Sequence, residues 1–126
     1  MHTATQPMPH RRRRKIPALV RVVMTIAATL MVVVVGLVVY VALSERAAER
    51  KAIAYCLTVK VGASPDGLLE RAKAAGASAE QSRWTQLESG ERDLAAVFLG
   101  ATSQSHHVCS VQAREAVTRA DYLHFD

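Results

Sequence analysis

The chain has no acidic residue before Glu45 and no charged residue of either sign between Val22 and Leu43. Cysteine is scarce: Cys56 and Cys109 are the only two, and both follow the uncharged stretch. Three chemical signatures are also missing. There is no Gly-x-Ser-x-Gly, no His-Glu-x-x-His and no phosphate-cradling glycine-rich loop. These absences remove the positive case for an enzyme, and neither a catalytic residue nor a cofactor is expected. No internal repeat and no Ser- or Gly-rich linker divides the chain. Its 126 residues leave room for one modest domain plus an anchor.

The formal net charge of +5 is unevenly distributed. Residues 1–44 hold six basic residues: Arg11, Arg12, Arg13, Arg14, Lys15 and Arg21. Residues 45–126 hold ten basic and eleven acidic residues, a balance of −1. The basic character therefore belongs to the tail. A nucleic-acid-binding domain would carry it on its folded surface, so nucleic acid is not an expected partner.

Val22–Leu43 reads VVMTIAATLMVVVVGLVVYVAL, 22 residues of which thirteen are Val, Ile or Leu. As a helix at about 1.5 Å per residue it reaches about 33 Å, against a hydrocarbon core of about 30 Å. In lipid a spanning segment can satisfy its backbone only as a helix, whatever the aqueous propensity of valine. A transmembrane helix is predicted, with the lipid bilayer as its partner. The uniformly apolar surface argues against a core helix, since a domain of about 80 residues cannot cover all its sides. A cleaved secretory signal is the alternative, and Ala42-Leu43-Ser44 has a small-x-small pattern, but the apolar run exceeds the usual length of about 7–15 residues. Tyr55 before Cys56 is too large for a lipidation site.

Charge asymmetry sets the expected orientation. Arg11 to Lys15 and Arg21 flank one end, whereas Glu45, Arg46, Glu49, Arg50 and Lys51 mix signs at the other. The positive-inside rule keeps the tail cytoplasmic and sends the remainder outside. Two cysteines confined to the outer side suit a disulfide in an oxidising compartment. Together with Ala- and Arg-rich usage, this predicts a bacterial inner-membrane protein with a signal anchor and a periplasmic domain. The expected organisation is a disordered basic tail at 1–15, a membrane helix with a short extension at 16–52, and an outer domain at 53–126. Gly36 has Val32 and Tyr40 four positions away, so the small-residue dimer motif is missing and the oligomeric state stays open.

An α+β fold is predicted for the outer domain. Tyr55, Leu57, Val59 and Val61 alternate with polar or small residues, which predicts a strand. Ser64-Pro65-Asp66 has the composition of a helix start, Leu68, Leu69, Ala72 and Ala75 follow at helical spacing, and Gly76 supplies a stop. Ser78 to Gln81 resembles a capping box with one further turn. Strands are then expected near Trp84–Leu87, Leu94–Leu99, Val108–Ala113 and Val117–Leu123, with turns at Glu88–Glu91 and Arg114-Glu115. The result is a short helix on a three- to four-stranded antiparallel meander.

A strand ending in Val59-x-x-Gly62-x-Ser64, then a short helix with Leu68-Leu69 closed by Gly76, then antiparallel strands, resembles the small outer-membrane assembly lipoproteins of the SmpA/OmlA, or BamE-like, family. The resemblance covers Val59 to Asp126 and implies a helix with a three-stranded sheet and a scaffolding role in envelope assembly. The chain departs from the family in having no lipidated cysteine, and Gly76-Ala77-Ser78 stands where Gly-x-Pro is usual.

Among reactive side chains, Cys56 and Cys109 are the expected disulfide. His106-His107-Val108-Cys109 raises a metal reading, but adjacent strand residues face opposite ways. Only His107 shares a face with Cys109, leaving three ligands at most, and no metal site is predicted. The carboxylates of Asp66, Glu70, Glu80, Glu88, Glu91 and Asp93 fall on expected turns and exposed helix faces. Ser64 or Ser78 with Lys73 would make a dyad lacking any oxyanion hole. Trp84 reads as a sheet-packing residue. The function expected is an interaction or scaffold module for a protein of the cell envelope, and the alternative is a tethered ligand-binding, sensor or inhibitor module.

Overall fold

A computed structural model describes His2 and residues 15–126. Arg11 to Arg14 and nearly all of the predicted disordered tail lie outside the described residues. The fold is α+β. Two helices, α1 (Ala18–Thr58) and α2 (Leu68–Ala74), precede four strands: β1 (Arg83–Gln86), β2 (Arg92–Leu99), β3 (His106–Ala113) and β4 (Val117–Phe125). The chain divides into two units between Val35 and Gly36.

In the first unit every described side chain from Lys15 to Val35 is exposed, Lys15 and Arg21 included. Thr25 Oγ1 donates to the Arg21 carbonyl and Thr29 Oγ1 to the Thr25 carbonyl, each at 2.8 Å. Both threonine hydroxyls of the apolar run are thus satisfied by the helix's own backbone, which lowers the cost of an apolar surrounding.

In the second unit the helix stays exposed through Leu43, and a buried stripe then follows: Ala48, Ala52 and Tyr55 on the helix and Val59 just past its end. These intervals of four, three and four residues are helical, and they correct the expectation of a strand at Tyr55–Val61. Leu57 and Val61, which the alternating pattern would bury, are 76% and 70% exposed. The apparent period of two covers only four apolar residues, while the preceding helix extends without a new nucleation cost. The helix ends at Thr58, whose Oγ1 donates to the Tyr55 carbonyl at 2.6 Å. Gly62 then turns the chain at φ 88°.

The second helix begins three residues later than its composition suggests. Ser64 Oγ accepts the Asp66 N–H at 3.3 Å, forming a turn, and Gly67 in the left-handed region (φ 75°) precedes Leu68. Its end follows the expected stop. Ala77 N–H donates to Ala72 O (2.9 Å) and Gly76 N–H to Lys73 O (3.1 Å), with Gly76 at φ 107°. That pairing is a Schellman motif, which demands a residue tolerant of positive φ.

The strands form an antiparallel meander in the order β1-β2-β3-β4. Each begins or ends within about two residues of its expected position. β1 pairs only with the first half of β2 (Arg83 opposite Ala95, Gln86 opposite Arg92). Ahead of its first residue, the turn at 78–82 takes over the bare edge: Ser78 N–H donates to Val97 O at 2.7 Å, and Val97 N–H donates to Ser82 Oγ at 3.0 Å. The inner face carries Leu94, Ala96 and Phe98 from β2 and Cys109 and Val111 from β3. These pack with Ala52, Tyr55 and Val59 of α1 and its exit, and with Leu68 and Ala72 of α2. Tyr55 Oη donates to the Leu68 carbonyl at 2.8 Å, so the largest helix residue in the core keeps its hydroxyl satisfied.

Cys56 and Cys109 form a disulfide with Cα atoms 5.5 Å apart, bridging the last turn of α1 to a central strand. With the partners 53 positions apart in sequence, the chain-entropy model assigns the link about 4 kcal/mol of stabilisation. Alkylation of the purified, unreduced protein should add no mass at cysteine, whereas reduction should expose two thiols. The double substitution C56S/C109S should lower the unfolding free energy by up to about 4 kcal/mol. Two alkylatable thiols before reduction would contradict the bridge.

Candidate functional site

The most concentrated group of polar side chains in the second unit has Glu45 at its centre. Glu45 leaves α1 two residues after the uncharged run, and the β2–β3 loop wraps its carboxylate. Oε1 accepts the Ala101 N–H at 2.8 Å. Oε2 accepts the Ser105 hydroxyl at 2.9 Å and lies 2.8 Å from His107 Nε2. Gly100 forms the floor, where a Cβ would collide with the carboxylate. Loop closure by Gly100 N–H to Ser105 O at 2.9 Å holds these donors in place.

His107 is buried on the inner face of β3, alongside Cys109 as strand parity predicts. Its Nδ1 lies 2.7 Å from Tyr122 Oη on β4. An ionised Glu45 can only accept, so in the neutral imidazole the proton sits on Nε2 and Nδ1 accepts from the Tyr122 hydroxyl. The resulting chain runs Tyr122 to His107 to Glu45, linking β4, β3 and α1. Burial, followed by the charges of Glu49, Asp126 and Glu45, pushes the Tyr122 hydroxyl above its ordinary range, which keeps it a donor. His124, opposite His107 in the β3–β4 register, stacks on it with ring centroids 4.5 Å apart and planes within 3°. His124 Nε2 is 2.9 Å from Asp126 Oδ1. Glu45, Ser105, His107, His124 and Asp126 line a cleft of about 390 Å³ that also meets Arg46 and Glu49.

Glu45, His107 and His124 each offer one donor atom, all within 4.8 Å of one another. This trio differs from the combination raised by the sequence. Cys109 and Cys56 are consumed in the disulfide and hold no thiolate, and His106 sits on the opposite face of β3. Glu45, Tyr122 and His124 were not singled out in the sequence. Glu45 looks like one more solvated charge after an apolar run. His124 meets His107 only once the β3–β4 register is known, including its irregularity at Gln112/Ala113.

The remaining sequence candidates have ordinary roles. Ser64 accepts a hydrogen bond from the Asp66 backbone and Ser78 from Gln81 (3.4 Å), which occupies the two hydroxyls of the imagined dyads. Trp84 is half-buried against the core, with the Arg92 guanidinium 5.1 Å from its ring. No family model, curated protein or solved structure matches the chain.

Hydrogen bonds from His107 and then Ser105 outweigh partial burial and hold the Glu45 carboxyl below its ordinary value of 4.5. A carboxyl with a depressed folded-state pKa contributes stability above its unfolded pKa and loses it as pH falls through the folded value. Glu45→Gln should therefore cost about 1 kcal/mol at neutral pH by weakening a charge-assisted bond to a buried histidine. The gap between variant and parent should shrink below about pH 4.5. Thermal melts of both proteins from neutral to acid pH check this, and parallel curves would contradict it.

Proposed function

We propose that the chain is a single-pass protein of a bacterial inner membrane that holds a small α+β interaction module in the periplasm, where its partner is another envelope protein. The observation that carries the reading is that every residue from 22 to 43 is exposed among the described residues. Thirteen Val, Ile and Leu residues favour insertion by roughly 4–8 kcal/mol at the per-residue values of a helix centre. Leaving the same surface in water would forfeit most of that. The flank charges, with Lys15 and Arg21 on one side and mixed signs from Glu45 onward, favour a cytoplasmic N-terminus. The disulfide favours an oxidising compartment for the domain.

The outer face of the sheet supports the interaction half of the reading. Val97, Val108 and Leu123 stand in register across β2, β3 and β4, next to a second row of Leu99, His106 and Phe125. Leu99, Leu123 and Phe125 are each about half exposed, whereas Val97 and Val108 are buried, and β4 is an edge strand with no partner on its outer side among the described residues. Exposed apolar side chains beside a bare edge are a familiar setting for a protein partner. The resemblance to envelope-assembly lipoproteins over Val59–Asp126 points to the same kind of work. A second reading, a tethered ligand-binding, sensor or inhibitor module, draws on the cleft beside Glu45.

Membrane residence and partnership are separable in one experiment. Cells carrying the chain with a photo-crosslinking residue at Phe125 should yield it in the carbonate-resistant membrane fraction. Irradiation should join it to one discrete envelope protein. Recovery of unprocessed chain in the aqueous fraction would defeat the membrane half. A membrane-bound chain giving no protein adduct would defeat the scaffold half.

A further inference from the structure

We infer that Glu45, His107 and His124 form a binding site for a divalent transition-metal ion, with zinc the best match to the donor set. This does not depend on the membrane reading. Two imidazoles and a carboxylate suit zinc and its neighbours and are poorly matched to calcium or magnesium, which favour oxygen. The three donor atoms lie within 4.8 Å of one another on three different elements, α1, β3 and β4. Glu45 Oε2 and His107 Nε2, at 2.8 Å, need to part only to about 3.0–3.4 Å to become adjacent ligands of one ion.

The outer shell makes this more than a chance cluster. A metal-bound imidazole usually donates its other N–H to an oxygen, which fixes the tautomer. His107 already has Tyr122 Oη 2.7 Å from Nδ1. On binding, the His107 proton moves from Nε2 to Nδ1, Nδ1–H donates to Tyr122 Oη, and Nε2 turns its lone pair to the ion. The Tyr122 hydroxyl hydrogen rotates to another acceptor or solvent, and no proton need leave the protein. Glu45 keeps its Ala101 and Ser105 donors, at 2.8 and 2.9 Å, so its carboxylate is aimed before any ion arrives.

His124 must move, because parallel stacked rings cannot both direct an in-plane lone pair at one ion. Its side chain is 42% exposed and free to swing off the stack, carrying its nitrogen toward the other two donors. Asp126, 2.9 Å from His124 Nε2, is placed either to complete the shell or to orient that ring. Glu45, Glu49 and Asp126 against Arg46 leave the cleft walls with an excess of negative charge, which draws in a cation. The open cleft leaves room for a water or an exogenous ligand as a further donor.

Full-length, tag-free protein in detergent micelles, with the disulfide intact, is titrated calorimetrically with zinc chloride in a non-chelating buffer. One ion per chain should bind with a Kd at or below about 10 μM. His124→Gln, at an exposed position whose loss should leave the fold intact by circular dichroism, should weaken that binding by about tenfold or more. The comparison also discounts adventitious binding by His2 or His10, which the variant retains. Absence of stoichiometric binding, or a folded variant that binds within tenfold of the parent, overturns the assignment.

Discussion

Residues 45–58 of α1 are joined to the sheet at both ends, by the Glu45 carboxylate in the β2–β3 loop and by the Cys56–Cys109 bridge. Ala48, Ala52 and Tyr55 pack between the two attachments. The rest of the domain depends on this arrangement. The sheet offers Leu94, Ala96, Phe98, Cys109 and Val111 on one face, and the seven-residue α2 is too short to cover them alone. The helix that carries the apolar run therefore also supplies one wall of the core. A domain of this size gains only a few kcal/mol from its core, so a covalent link worth about 4 kcal/mol bears on whether it folds at all.

The two attachments differ in kind. The disulfide acts mainly on the unfolded chain, restricting it wherever it goes. Glu45 acts on the folded state alone and acts locally: it organises Gly100 to Ser105, orders His107, and through it reaches Tyr122 on β4. Its carboxylate is only partly withdrawn from water, so its ionisation costs little, while His107 and Ser105 are buried and would be orphaned without it. No buried side-chain donor or acceptor lacks a partner among the described residues. The polar cluster is thus a closed set whose outer members, His124 and Asp126, face the cleft.

Much of the domain was legible beforehand because its signals are local. The four strands follow from short apolar alternations between turn residues, and Gly76 ends α2 through a φ that only its backbone accepts readily. The exposed run 22–43 is equally plain in the sequence. Failure came where two periods overlapped. Tyr55, Leu57, Val59 and Val61 satisfy a strand pattern, but Ala48, Ala52, Tyr55 and Val59 satisfy a helical one, and deciding between them requires knowing what Ala48 packs against. The cysteine pair was readable from count and placement, although Cys56 sits on a helix rather than on the expected strand. The Glu45–His107–His124 cluster was not readable, since its members are separated by 62 and 17 positions and meet only through tertiary register.

Persistence of α1 as helix through residues 48–58, packed on the sheet, is the central physical claim, and backbone amide exchange reads it directly. Full-length protein in lipid nanodiscs, followed by mass spectrometry, should show the amides of residues 48–58 exchanging as slowly as those of β3. Exchange across 48–58 at the rate of unstructured chain, with β3 still protected, would contradict it.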